Sequence, residues 1–108
     1  MSSKFENSDT TDLINALLKI ETVEEWYAFF EDICTIGEIQ SLSLRWKVAK
    51  LLEDGKTYTE IMDKVDVSTA TISRVSRFLN YGAGGYRSVL DKIKAEDEKN
   101  KKSGDADA

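Results

Sequence analysis

From Ser68 to Arg77 the chain reads Ser-Thr-Ala-Thr-Ile-Ser-Arg-Val-Ser-Arg, small hydroxyl-bearing side chains interrupted by two arginines. Hydroxyls donate and accept hydrogen bonds, and a guanidinium pairs two-pronged with a guanine edge or binds a phosphate. Small side chains let a helix backbone approach base edges, and the free N–H groups at a helix start attract phosphate. On a helical wheel Ala70, Ser73, Arg74 and Arg77 fall together, opposite Ile72, Val75 and Leu79. The candidate DNA-reading residues are therefore Ser68, Thr69, Ala70, Thr71, Ser73, Arg74 and Arg77. An ordinary solvated helix shows a similar face, so the neighbouring elements decide between the two.

Those neighbours have the form of a helix-turn-helix over residues 57–80. Thr57-Tyr58-Thr59-Glu60 has the capping-box spacing and predicts a short helix ending near Val65, with Ile61 and Val65 facing inward. Asp66-Val67-Ser68 predicts a tight turn plugged by Val67, and Ser68 caps a second helix over Thr69–Asn80. Asp66 stands where such turns usually hold glycine, and aspartate tolerates the left-handed conformation better than most residues.

The rest of the chain also reads as helix. Ser8-Asp9 is the expected cap of a helix over about residues 10–20, with Leu13, Ile14, Leu17 and Leu18 on one face. Thr22-Val23-Glu24-Glu25 opens a second helix to about Cys34. Its apolar side chains cover an arc of ~160°, wider than a single packing neighbour covers, which predicts an intertwined homodimer. Thr35-Ile36-Gly37-Glu38 opens a longer helix to about Asp54, closed by Gly55 in the left-handed conformation. Gly82, Gly84 and Gly85 break the chain before a last helix over about residues 86–96. The expected organisation is all-α with six helices. A flexible arm occupies residues 1–9, one DNA-binding and dimerisation domain residues 10–96, and a disordered charged tail residues 97–108.

Composition bounds the function. The chain has 108 residues, no histidine and one cysteine, Cys34. Cys/His zinc sites and Ser–His or Cys–His catalytic pairs are thereby excluded, and no metal, cofactor or enzymatic activity is expected. Cys34 reads as packing. No apolar run approaches the ~20 residues of a membrane span, and the N-terminus has no apolar signal core, so a cytoplasmic protein is expected. The net charge of −5 is unevenly spread: residues 1–43 carry −7, residues 44–94 carry +4 and residues 95–108 carry −2. The basic stretch coincides with the helix-turn-helix, as double-stranded DNA requires of a partner.

Two blocks resemble the Trp repressor superfamily and, within it, the YerC/YecD-type relatives. One is Thr35-x-x-Glu38-x-x-x-Leu42-x-x-Arg45 followed by Val48, Leu52 and Gly55, and the other is Ala70-Thr71-Ile72-Ser73-Arg74. The resemblance spans roughly residues 10–94. It implies an intertwined all-helical homodimer that binds operator DNA and represses transcription. It also implies an effector pocket at Thr35, Arg45, Thr71 and Arg74, where two arginines could hold a carboxylate. Tryptophan-responsive members carry glycine where Val75 stands, and a valine side chain intrudes where an indole would slide, which argues against tryptophan and leaves another small effector open. Basic DNA-contacting residues of the motif's first helix in those members are not matched at Thr59, Glu60 and Met62, which implies a different operator sequence. The resemblance puts Arg74 in the pocket and the helical wheel puts it toward DNA. The competing reading is a protein–protein interaction module in which the helix-turn-helix is only structural and the acidic N-terminal third is the contact surface.

Overall fold

Side-chain caps set where most of the helices begin. The computed structural model describes residues 3–107, with side chains through Lys101. Among the described residues there are six helices and no strand: α1 (Ser8–Leu17), α2 (Val23–Ile33), α3 (Ile36–Glu53), α4 (Tyr58–Lys64), α5 (Thr69–Tyr81) and α6 (Gly85–Asp107). None is long and apolar enough to cross a membrane.

Thr22 caps α2 by accepting the Glu25 N–H at 3.1 Å, and Thr35 caps α3 by accepting the Glu38 N–H at 3.2 Å. Thr57 and Glu60 close a reciprocal capping box on α4, and Ser68 caps α5 through the Thr71 N–H at 3.2 Å. Each cap satisfies donors that the first turn of a helix leaves unpaired. At the far end of α3, Lys56 N–H donates to the Leu51 carbonyl and Gly55 N–H to that of Leu52, both at 3.0 Å. That pattern needs a left-handed residue, and Gly55 supplies it with φ of 84°.

Three local expectations are corrected. The cap of α1 is Asn7, whose side chain accepts the Thr10 N–H at 2.8 Å, so the helix starts at Ser8 rather than near residue 10. Asp66 does not occupy the left-handed region, since no described non-glycine residue has positive φ. The turn closes in ordinary backbone and needs no glycine there. The tail expected to be disordered from residue 97 continues α6 to Asp107. Extending a helix requires no new nucleus, and Ala95, Glu96, Glu98, Lys99 and Lys101 are strong helix formers. The first two residues of the expected arm and the last of the expected tail lie outside the described residues.

The chain divides into two compact units, Met1–Ile39 and Gln40–Ala108. In the first, α1 and α2 bury no residue; Trp26 and Phe30 pack ring against ring at 5.2 Å between centroids. Leu13, Ile14, Val23, Tyr27 and Ile33 are exposed. The second unit contains the core, in which Val48 and Ala49 of α3 pack with Ile61 of α4 and with Ile72 and Val75 of α5. Leu44, Leu51, Leu52, Val67 and Tyr86 close around this cluster. Leu79 and Leu90 are also buried, and the inward face of α5 is the one its periodicity predicts. An ion pair ties α6 to α3: Arg87 donates two-pronged to Glu53, once at 3.1 Å from Nη2 and once from Nη1, and reaches Asp91 at 3.6 Å.

Candidate nucleic-acid interface

Burial of Ile72, Val75 and Leu79 forces the opposite side of α5 outward, and there Thr69, Ala70, Ser73, Arg74 and Arg77 are all exposed. Ser73, Arg74, Arg77 and Phe78 line a surface groove of about 380 Å³. Ser68 and Thr71 are occupied locally: the Ser68 hydroxyl donates to Thr71 Oγ1 at 3.1 Å while accepting the Thr71 N–H. Thr71 is half-buried and so differs from the other six candidate residues, which are exposed.

On the other flank of α5 lies a cavity of about 290 Å³, lined by Ser41, Leu44, Arg45, Thr71, Arg74, Val75, Phe78 and Tyr86. Arg45, Thr71 and Arg74, three of the expected pocket residues, come together here. Arg45 is steadied by Ser41, whose Oγ accepts from Nη2 at 3.0 Å. Thr35, the fourth, belongs to the first unit, where its hydroxyl serves the N-cap of α3 and its N–H donates to the Glu38 carboxylate at 2.8 Å. Those bonds hold the Glu38 carboxyl below its ordinary value, with the backbone donor the larger cause. Arg74 lines both the groove and the cavity.

Phe78 lines both spaces as well, and Tyr86 stacks on Trp46 with centroids 6.4 Å apart and ring planes 13° from parallel. Sequence reading missed both aromatics. Phe78 had a signal, since it follows Arg74 by one helical turn. Tyr86 had none, because its partner lies on a distant helix.

Glycine is demanded where α5 ends. Gly82 N–H donates to the Phe78 carbonyl at 2.9 Å, and a Cβ at Gly82 would collide with that carbonyl oxygen. The α5–α6 connection joins Phe78 to Tyr86, and both line the cavity.

Comparison with known proteins places this geometry. Residues 8–94 match the family model described as Trp repressor protein. The chain is 47% identical over 91 residues to the uncharacterised protein YerC of Bacillus subtilis (strain 168), covering 84% of this chain and 88% of that protein. Its fold is similar to a solved structure of a candidate Trp repressor from Staphylococcus aureus, with 45% identity and a TM-score of 0.80 over 84% of this chain and 91% of that one. A TrpR-like protein from Eubacterium eligens ATCC 27750 gives 47% identity and a TM-score of 0.80 over 84% and 94% of the two chains.

Proposed function

We propose that this chain, which belongs to the Trp repressor protein family, is a homodimeric transcriptional repressor that reads double-stranded DNA in the major groove through α5. Its four arginines divide three to one. Arg45, Arg74 and Arg77 line the cavity and groove flanking α5 and, among the described residues, have no carboxylate partner. Arg87 is held by Glu53 and Asp91. A chain of net charge −5 has carboxylates to spare, yet among the described residues none pairs with these three guanidinium groups. A polyanion outside the chain supplies the missing charge, and the small side chains Thr69, Ala70 and Ser73 lie exposed beside the arginines on α5, as on a groove-reading helix.

The first unit supports the dimer. Its helices bury nothing of their own, while Leu13, Ile14, Val23, Tyr27 and Ile33 face outward, a surface that a second copy covers. A two-fold dimer sets two reading helices about one DNA turn apart, ~34 Å. The cavity beside Arg45 and Arg74 is an effector site in this reading. Val75 fills part of it, so the effector is a small acid other than tryptophan, and repression is exerted in the cytoplasm.

Titration of the purified chain against a double-stranded DNA pool at two salt concentrations tests the reading. Affinity falls steeply with salt, as counterions released from phosphates require. An affinity indifferent to salt, or none at low salt, rejects it.

A further inference from the structure

Tyr58 is the first residue of α4, and Ser73 sits in the middle of the exposed face of α5. The two are separated by 15 residues in sequence, yet their hydroxyl oxygens are 3.4 Å apart, and either can donate. Tyr58 is 37% exposed, so its phenol stands at the surface beside Ser73. Ser73 shares its groove with Arg74 and Arg77. The first helix of the motif thus places a hydroxyl against the centre of the reading face of the second.

A serine hydroxyl facing a base edge is ambiguous, because it donates or accepts with equal ease. A fixed partner narrows the ambiguity by occupying one of the two serine lone pairs. A phenol is a stronger acid than an aliphatic alcohol and takes the donor role between them. With Tyr58 donating into a lone pair of Ser73 Oγ, the serine hydrogen is left to point away, toward the groove. In the major groove the acceptors for it are purine N7, guanine O6 and thymine O4, whereas the N4 amino group of cytosine presents only donors.

We infer that Tyr58 is a positioning residue for base recognition, which rests on the DNA reading proposed above. It leaves the Ser73 hydrogen free for the groove and takes up one of its lone pairs, and so favours an acceptor-bearing base at one operator position. Salt bridges and phosphate contacts play no part in this role. It therefore alters the discrimination at one base pair and leaves the general affinity for DNA intact.

The test starts from a DNA site selected by the wild-type chain and measures binding to single-base variants of it. Wild-type, Tyr58→Phe, Ser73→Ala and the double variant are compared at two salt concentrations. Tyr58→Phe keeps the ring and hence the packing, which circular dichroism verifies. The expected result is a loss of about five-fold discrimination against cytosine at one position, the magnitude of one neutral hydrogen bond, with an unchanged salt slope. Ser73→Ala loses discrimination at the same position, and the double variant loses no more than Ser73→Ala alone. A uniform loss across all sequences, no effect of Tyr58→Phe, or additive effects of the two changes overturns the role of Tyr58 while leaving the DNA reading standing. Failure of the wild-type chain to select any DNA overturns both.

Discussion

Arg74 and Val75 are neighbours on α5 and line the same cavity, yet Val75 is 2% exposed and belongs to the core while Arg74 is open to solvent. Two consecutive residues thus tie a packing position to one in the proposed site. Any side chain at position 75 sets both the stability of the core and the room left beside Arg45 and Arg74.

Val75→Gly separates these two effects. Losing a buried valine and placing glycine in a helix interior costs roughly 3 kcal/mol, read as a lower unfolding free energy in urea. The same change opens the cavity, so DNA affinity becomes sensitive to L-tryptophan in the variant and stays insensitive in the parent chain. A tryptophan response in the parent removes the steric argument.

Arginines inside and outside the proposed site respond differently. Arg77→Ala lowers DNA affinity by about 1–3 kcal/mol if its guanidinium reads a base edge, measured by fluorescence anisotropy on a selected site. Arg87→Ala leaves DNA affinity unchanged, because Arg87 is committed to Glu53 and Asp91, and acts only on thermal stability. Equal losses of affinity from both variants reject the assignment of the reading face to α5.

Stability falls in acid and is flat near neutrality. Glu38 and Glu60 are held below their ordinary value of 4.5 mainly by the backbone N–H groups of Thr35 and Thr57, and Glu53 mainly by its hydrogen bond from Arg87. A folded-state value below the unfolded one means that folding favours the ionised form. The stabilisation is complete above the ordinary value and disappears as pH falls through the depressed one. Urea midpoints measured across pH decline below about pH 5, and Glu38→Gln with Glu60→Gln flattens the decline. With no histidine in the chain, a transition between about pH 5 and 8 contradicts this assignment.

Self-association is visible in unfolding. If a second copy covers the first unit, the thermal midpoint rises with protein concentration. Tyr27→Asp, at a side chain 73% exposed on α2, weakens that dependence without touching the core of the second unit. A midpoint independent of concentration in the parent chain contradicts the dimer.

Much of the fold was legible because its signals are short-ranged. Thr22, Thr35, Thr57 and Ser68 each cap a helix through a residue three positions on, and Gly55 adopts the left-handed conformation that closes α3. The inward set Ile61, Ile72, Val75 and Leu79 follows from periodicity alone. Local competition misled the reading at Asn7, where three adjacent residues can each cap a helix. Composition misled it beyond residue 97, because charge and low hydropathy look alike in a disordered tail and in the solvated end of an already nucleated helix.

The candidate site was half legible. The exposed face of α5 follows from the wheel, but which of its residues also meets Arg45 depends on how α3 and α5 cross. Contacts such as Tyr58 with Ser73, Trp46 with Tyr86 and Arg87 with Glu53 join side chains far apart in sequence, and no periodic pattern encodes them.

Selection of bound sequences from random double-stranded DNA, with and without L-tryptophan, bears most directly on the claim that α5 is a DNA-reading helix. The expected result is a two-fold symmetric site with half-sites about one turn apart, ~34 Å, enriched equally in both conditions and lost with Arg74→Ala plus Arg77→Ala. Failure to enrich any site, at low salt as at physiological salt, contradicts it and leaves the helix-turn-helix a structural unit.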